Sequence, residues 1–242
     1  MNLEYVVVGT ARNGSVHMAR LLSSMGEMCG HESLFSVYGV VWAMQLMESK
    51  QPVTSPVSTF EVLAQSQNPE WFIAEQMRAE SSWMAVPYLD HKCLRNVSVV
   101  HSVRNPLKVI SSLVSDAHVF ADDPKHLWVF QEFAELHAPV LHLLDEVERA
   151  CYHWTRWHQM ILDKCSVKAL PYYLHRLEDG PTAGLLDFLK LPQSRIEGAF
   201  SNLSTNTWKL RDADLTLADI PAGHVKNRFI ELAAQLGYPD LA

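Results

Sequence analysis

The chain has 242 residues, 48% of them hydrophobic and 19% charged, a balance that suits one globular domain over residues 1–242 and excludes a disordered chain. Its net charge of −7 argues against a nucleic-acid binder, which needs a basic face, so an anionic ligand has to be met by local cations and backbone donors. No apolar run approaches the roughly 20 residues of a membrane span. The opening MNLEYVVVGT has no basic segment and no cleavage site, so a cytoplasmic protein without a membrane partner is expected. Cys29, Cys93, Cys151 and Cys165 show no close pairing, and the twelve histidines include no H-E-x-x-H cluster; neither a disulfide framework nor a metal site is expected.

In chain order, Tyr5 to Val8 is an uninterrupted β-branched and aromatic run ending at Gly9, the pattern of a buried parallel strand. From Ser15 the period changes: Val16, Met18, Ala19, Leu22 and Met25 recur three or four apart until Gly26, which predicts an amphipathic helix with a glycine stop. Helical stretches are expected around 40–48 and 70–79, followed by a segment over 86–93. A second strand is predicted over 97–103, leading into a helix that Pro106 opens and that runs to about Val119. Long helices are expected near 124–137 and 140–165, a third strand over 167–174, and a last helix from Ala222 to Leu236, stopped by Gly237. Strands alternating with helices predict an α/β fold, a parallel sheet covered on both faces, with helix outweighing strand.

The stretch VVVGTARNGSVHMARLLSSMG is the most informative. A strand ends in Gly9, a loop crosses Gly14, and a helix begins at once, so unpaired N–H groups and the positive helix end point at one spot. Gly9 to Gly14 has the spacing of the nucleotide-binding loop G-x-x-x-x-G-K-[ST], yet Ser15 stands in the lysine position and Val16 in that of the magnesium-binding hydroxyl. Without these two groups the loop is not built for Mg-ATP; its cation is Arg12, inside the loop. The plain alternative is a tight strand-to-helix turn with Arg12 solvated. The second strand-to-helix unit places Arg104 at a strand's carboxyl end and Ser112 eight residues on, about two helical turns later. An arginine fork and a hydroxyl converging there would form a second anion pocket; the plain alternative is a helix opened by Pro106 with no ligand role for Ser112. Two such pockets call for a ligand with two separated phosphate-like groups.

Together these units resemble the sulfotransferase family, in flavour the bacterial carbohydrate sulfotransferases. GTARNGSV fills the place of the 5′-phosphosulfate loop G-x-x-[KR]-S-G-[ST]-[ST], and Arg104 with Ser112 matches the Arg and Ser, eight apart, of the 3′-phosphate motif. GHESLF after the first helix, SSWMAVPYL, YHWTRWH and the closing LGYP have counterparts as well. The similarity spans most of the chain and is strong in the two phosphate motifs. It implies a three-layer P-loop-like fold and sulfuryl transfer from 3′-phosphoadenosine-5′-phosphosulfate to an acceptor hydroxyl without a metal. It also implies that the backbone from Asn13 through Gly14 and Ser15 to Val16 holds the 5′-phosphate, that Arg12 meets the transferring group, and that Arg104 and Ser112 hold the 3′-phosphate.

The departures are specific. Asn13 replaces a serine, Val16 replaces a hydroxyl, and His17 stands where cytosolic members stack a tryptophan on adenine. The strand that carries a catalytic histidine in those members reads ESSW. The resemblance then nominates Glu32 as the base, with His31 and Glu80 as rivals. Trp154, Trp157 and His158 are either acceptor-pocket or core residues. Lys209, Arg211, Lys226 and Arg228 are either a nucleotide clamp or scattered surface cations. Two other readings remain beside sulfuryl transfer: a non-catalytic nucleotide-binding protein and a P-loop kinase.

Overall fold

A computed structural model describes residues 3–35, 77–116, 119–120, 122, 128–195 and 215–241. The Tyr5–Val8 run forms strand β1, buried along its whole length. Strands β2 (Cys29–His31), β3 (Ala79–Ser81), β4 (Ser98–Val103) and β5 (Tyr172–Arg176) join it in a five-stranded sheet of order β2-β3-β1-β4-β5. Every pairing is parallel, so all five strands end on the same edge. The chain visits β2 and β3 on one side of β1 and then crosses to β4 on the other. That reversal lies between β1 and β4, and open parallel sheets take their ligands at the carboxyl ends of the strands at such a point.

Among the described residues, the α-helices are α1 (Ser15–Ser24), α2 (Pro106–Ser111), α3 (Trp128–His137), α4 (Glu146–Lys168), α5 (Ala183–Leu189) and α6 (His224–Gln235). Several bounds differ from the sequence expectation. Helix α4 starts only at Glu146, where the Asp145 side chain accepts the Glu148 N–H at 2.8 Å, and it runs to Lys168 before Ala169 turns left-handed. The strand expected over 167–174 therefore begins at Tyr172. Helix α2 ends at Ser111 and continues as a π-helical turn, Ser112–Asp116. Ala79, expected to close a helix, opens β3; three-residue strands are too short to show a period. Segment 86–93 is 3-10 structure and turn, and the helix expected at 40–48 lies outside the described residues.

Alternate residues of each central strand feed opposite faces of the sheet. Val6, Val8, Val99 and Val103 join the larger core with α2, α3, α4 and α6. Tyr5, Val7 and Val100 join the smaller one with α1 and α5. Trp154, Trp157 and His158 are completely buried, so these three belong to the core. The Trp157 indole N–H donates to the Trp83 carbonyl at 2.9 Å, which pins α4 to the segment leaving β3. Among the described residues, no helix is long and apolar enough to cross a membrane, and no group of three or more side chains is arranged to hold a metal ion.

Candidate functional site

The loop after β1 is shaped by its own side chains. The Asn13 N–H donates to the Thr10 carbonyl at 3.2 Å, closing a turn, and its side-chain amide donates to the Ser102 carbonyl on β4. Asn13 is thus a buried strut, with its N–H engaged within the loop. Gly14 adopts φ 83°, where a Cβ would also meet the flexible end of Leu177; the left-handed backbone is what favours glycine there. Helix α1 then starts with no side-chain cap and no acidic residue in its first turn, an end suited to an anion. Val16 is exposed, and half-buried His17 has its pKa lowered by burial and by Arg20.

The second motif meets this loop. Arg12 Nε donates to Ser112 Oγ at 2.9 Å across 100 positions of sequence. Ser112 is buried and opens the π-helical turn, an irregularity frequent at functional sites. Arg104 directly follows β4 and is half-buried. Asn105 caps α2 by accepting the Lys108 N–H at 3.2 Å, and its own N–H donates to Glu178 at 2.7 Å.

Glu32 follows β2 on the same edge, with φ 50°. Four non-glycine residues among those described have positive φ: Arg12, Glu32, Ala169 and Lys190. The last two terminate α4 and α5, an ordinary use of that conformation. Arg12 and Glu32 end no helix, and backbone held in such a region concentrates at functional sites. Burial raises the Glu32 carboxyl to about 7 against the opposing hydrogen bond with Trp83, while 24% of its side chain stays exposed. His31 Nε2 lies 2.9 Å from Ser15 Oγ and 3.7 Å from Glu32 Oε1, and burial lowers this imidazole to about 4, with Arg20 adding.

Glu80 is placed differently. It is fully buried, and its Oε1 accepts the N–H groups of Leu34 at 3.1 Å and Phe35 at 3.4 Å. Burial raises it to about 8 against those backbone bonds, and the nearby Glu32 adds to the rise. Glu80 holds the turn behind Glu32 from inside.

No protein-family model matches the sequence, and no curated protein matches it. Among solved structures, the chain is similar to the sulfotransferase domain from the curacin biosynthetic pathway, with a TM-score of 0.53 and 17% identity over 98% of each chain. The two share a fold. It is an α/β fold with a five-stranded parallel central sheet and helices on both faces, consistent with a P-loop-like sulfotransferase fold.

Some residues at this edge escaped the sequence reading. His175, near the end of β5, is buried with Nε2 unpartnered, and burial lowers its pKa to about 4 with His17 nearby. Glu178 also accepts the Tyr238 hydroxyl at 2.8 Å, tying the site to the LGYP segment. Of the late cations, Lys209 and Arg211 lie outside the described residues. Lys226 donates to the Leu217 and Ile220 carbonyls, and Arg228 pairs with Glu231 at 2.9 Å; both are engaged near their own helix.

Proposed function

We propose that the protein is a sulfotransferase that moves a sulfuryl group from 3′-phosphoadenosine-5′-phosphosulfate to the hydroxyl of a carbohydrate or other small molecule. The observation that carries this reading is the Arg12–Ser112 hydrogen bond, which joins the phosphate loop to the second anion motif where the sheet order reverses. The first-turn amides of α1 with Ser15 hold the 5′-phosphate, and Arg104 with Ser112 holds the 3′-phosphate. In the transfer step, the acceptor oxygen bonds to sulfur as the bond from sulfur to the bridging phosphate oxygen breaks. Arg12 offsets the charge that develops on the departing bisphosphate. The acceptor proton goes to Glu32, whose pKa near 7 suits a general base at neutral pH. Alignment and charge stabilisation carry such a transfer, and no step in it requires a metal. The kinase reading is weaker, since Ser15 and Val16 replace the lysine and the magnesium-binding hydroxyl.

The test is release of adenosine 3′,5′-bisphosphate from the sulfate donor in the presence of a panel of sugars and phenols. Glu32→Gln is expected to lower turnover about a hundredfold while leaving bisphosphate affinity nearly intact. Normal turnover in that variant, with loss in Glu80→Gln, would move the base to β3. Bisphosphate binding without turnover on any acceptor would favour a non-catalytic nucleotide-binding protein.

A further inference from the structure

His31 stands between two groups that the proposed mechanism uses separately. Its Nε2 is 2.9 Å from Ser15 Oγ and 3.7 Å from Glu32 Oε1. The surrounding backbone is cross-braced: Ser81 Oγ donates to the Ser15 carbonyl at 2.9 Å, and the Glu32 N–H donates to the Ser81 carbonyl at 3.2 Å. Ser15 is therefore gripped at its carbonyl by β3 and at its hydroxyl by the last residue of β2.

We infer that His31 is a positioning residue that aims the Ser15 hydroxyl at the donor's 5′-phosphate, with the Glu32 carboxylate selecting the imidazole tautomer that does so. A neutral imidazole carries one N–H. If the proton is on Nδ1, Nε2 accepts the Ser15 O–H and turns it away from an anion. If the proton is on Nε2, that N–H donates to Ser15 Oγ, and the serine O–H is free to donate to a phosphate oxygen. An ionised carboxylate beside Nε2 repels a lone pair there and favours the second tautomer. The other charged group acting on His31 is Arg20 from α1, which with burial keeps the ring neutral; Glu80 on β3 interacts with Glu32. The base thus helps set the donor pocket through one imidazole.

This inference rests on the proposed donor site, and a binding experiment separates the two. Calorimetry with adenosine 3′,5′-bisphosphate is run on wild type, Ser15→Ala, His31→Leu, His31→Gln, His31→Asn and the Ser15→Ala/His31→Leu double variant, each checked for folding by thermal melting. Ser15→Ala and His31→Leu are each expected to weaken binding about tenfold, and the double variant to be no weaker than either single one. His31→Gln puts an amide N–H where Nε2 was and should bind within about twofold of wild type. His31→Asn, polar but too short to reach Ser15, should lose as much as His31→Leu and stands in for it if that variant does not fold. Additive losses, or a Gln variant as weak as the Asn variant, would overturn the role of His31 while leaving the donor site in place. A wild type that does not bind the bisphosphate would overturn the donor site itself, and the inference with it.

Discussion

Among the described residues, one cluster of titratable side chains at the carboxyl edge of the sheet contrasts with another beneath it. At the edge, His31, Glu32 and Glu80 surround the turn after β2. Beneath the sheet, His101 on β4 contacts His158 on α4 at 2.6 Å and the Tyr172 hydroxyl at 2.7 Å, and His153 is caged by Trp83, Phe120 and Trp157. Burial moves ionisation in both: His101 and His153 fall to about 3, as Glu32 and Glu80 rise to about 7 and 8. A perturbed pKa therefore does not by itself mark a site. The edge cluster differs because it touches Ser15 at the start of α1 and keeps Glu32 partly open, whereas the three inner histidines are sealed.

The two clusters also respond differently to mutation and to pH. The largest effect is expected at Trp157, fully buried and bonded to the Trp83 carbonyl. Trp157→Ala should lower unfolding stability by about 3–5 kcal/mol, measured by urea denaturation. A loss below about 1 kcal/mol would mean that this wall of the core is not packed as described.

Acid should act next through the inner histidines. Their folded pKa values lie below the ordinary 6.5, so the unfolded chain binds more protons. Their stability is full above pH 6.5 and is lost as pH falls towards 3, at up to about 1.4 kcal/mol per pH unit for each histidine. Glu80 works with the opposite sign: its folded value is raised, so its contribution is full below 4.5 and is lost as pH rises through about 8. Both ring nitrogens of His153 lack a partner, so His153→Phe should be close to neutral at pH 7.5 and flatten the acid limb between pH 6 and 4. An unchanged acid slope would show that His153 is not held neutral.

The same contrast explains what could be read in the sequence. The strand, the glycines and the helix start between Tyr5 and Ser24 lie within one local stretch, as do Arg104 and Ser112, so their types and spacing are visible before folding. The parallel α/β architecture was legible for the same reason, through the runs that became β1 and β4. Strands β2 and β3 have three residues each and show no period of their own. The Ser15–His31 contact, the Arg12–Ser112 bond and the approach of Leu177 to Gly14 join distant segments, and no local pattern announces them. Glu32 was set ahead of Glu80 by the resemblance and not by any local pattern, because their difference in the fold is one of exposure. Of the inner histidines, His153 and His158 carried only helical spacing, which belonged to the core, and His101 lies inside the run that became β4.

The central claim is that the edge between β1 and β4 recognises two phosphates without a metal. The most direct test is calorimetric titration, in EDTA, of wild type and Arg104→Ala with adenosine 3′,5′-bisphosphate and with adenosine 5′-phosphate. The account predicts that wild type binds the bisphosphate more tightly, and that Arg104→Ala weakens the bisphosphate about thirtyfold, or about 2 kcal/mol, while barely affecting the monophosphate. Equal losses for both nucleotides, or binding that vanishes when divalent cations are chelated, would contradict it.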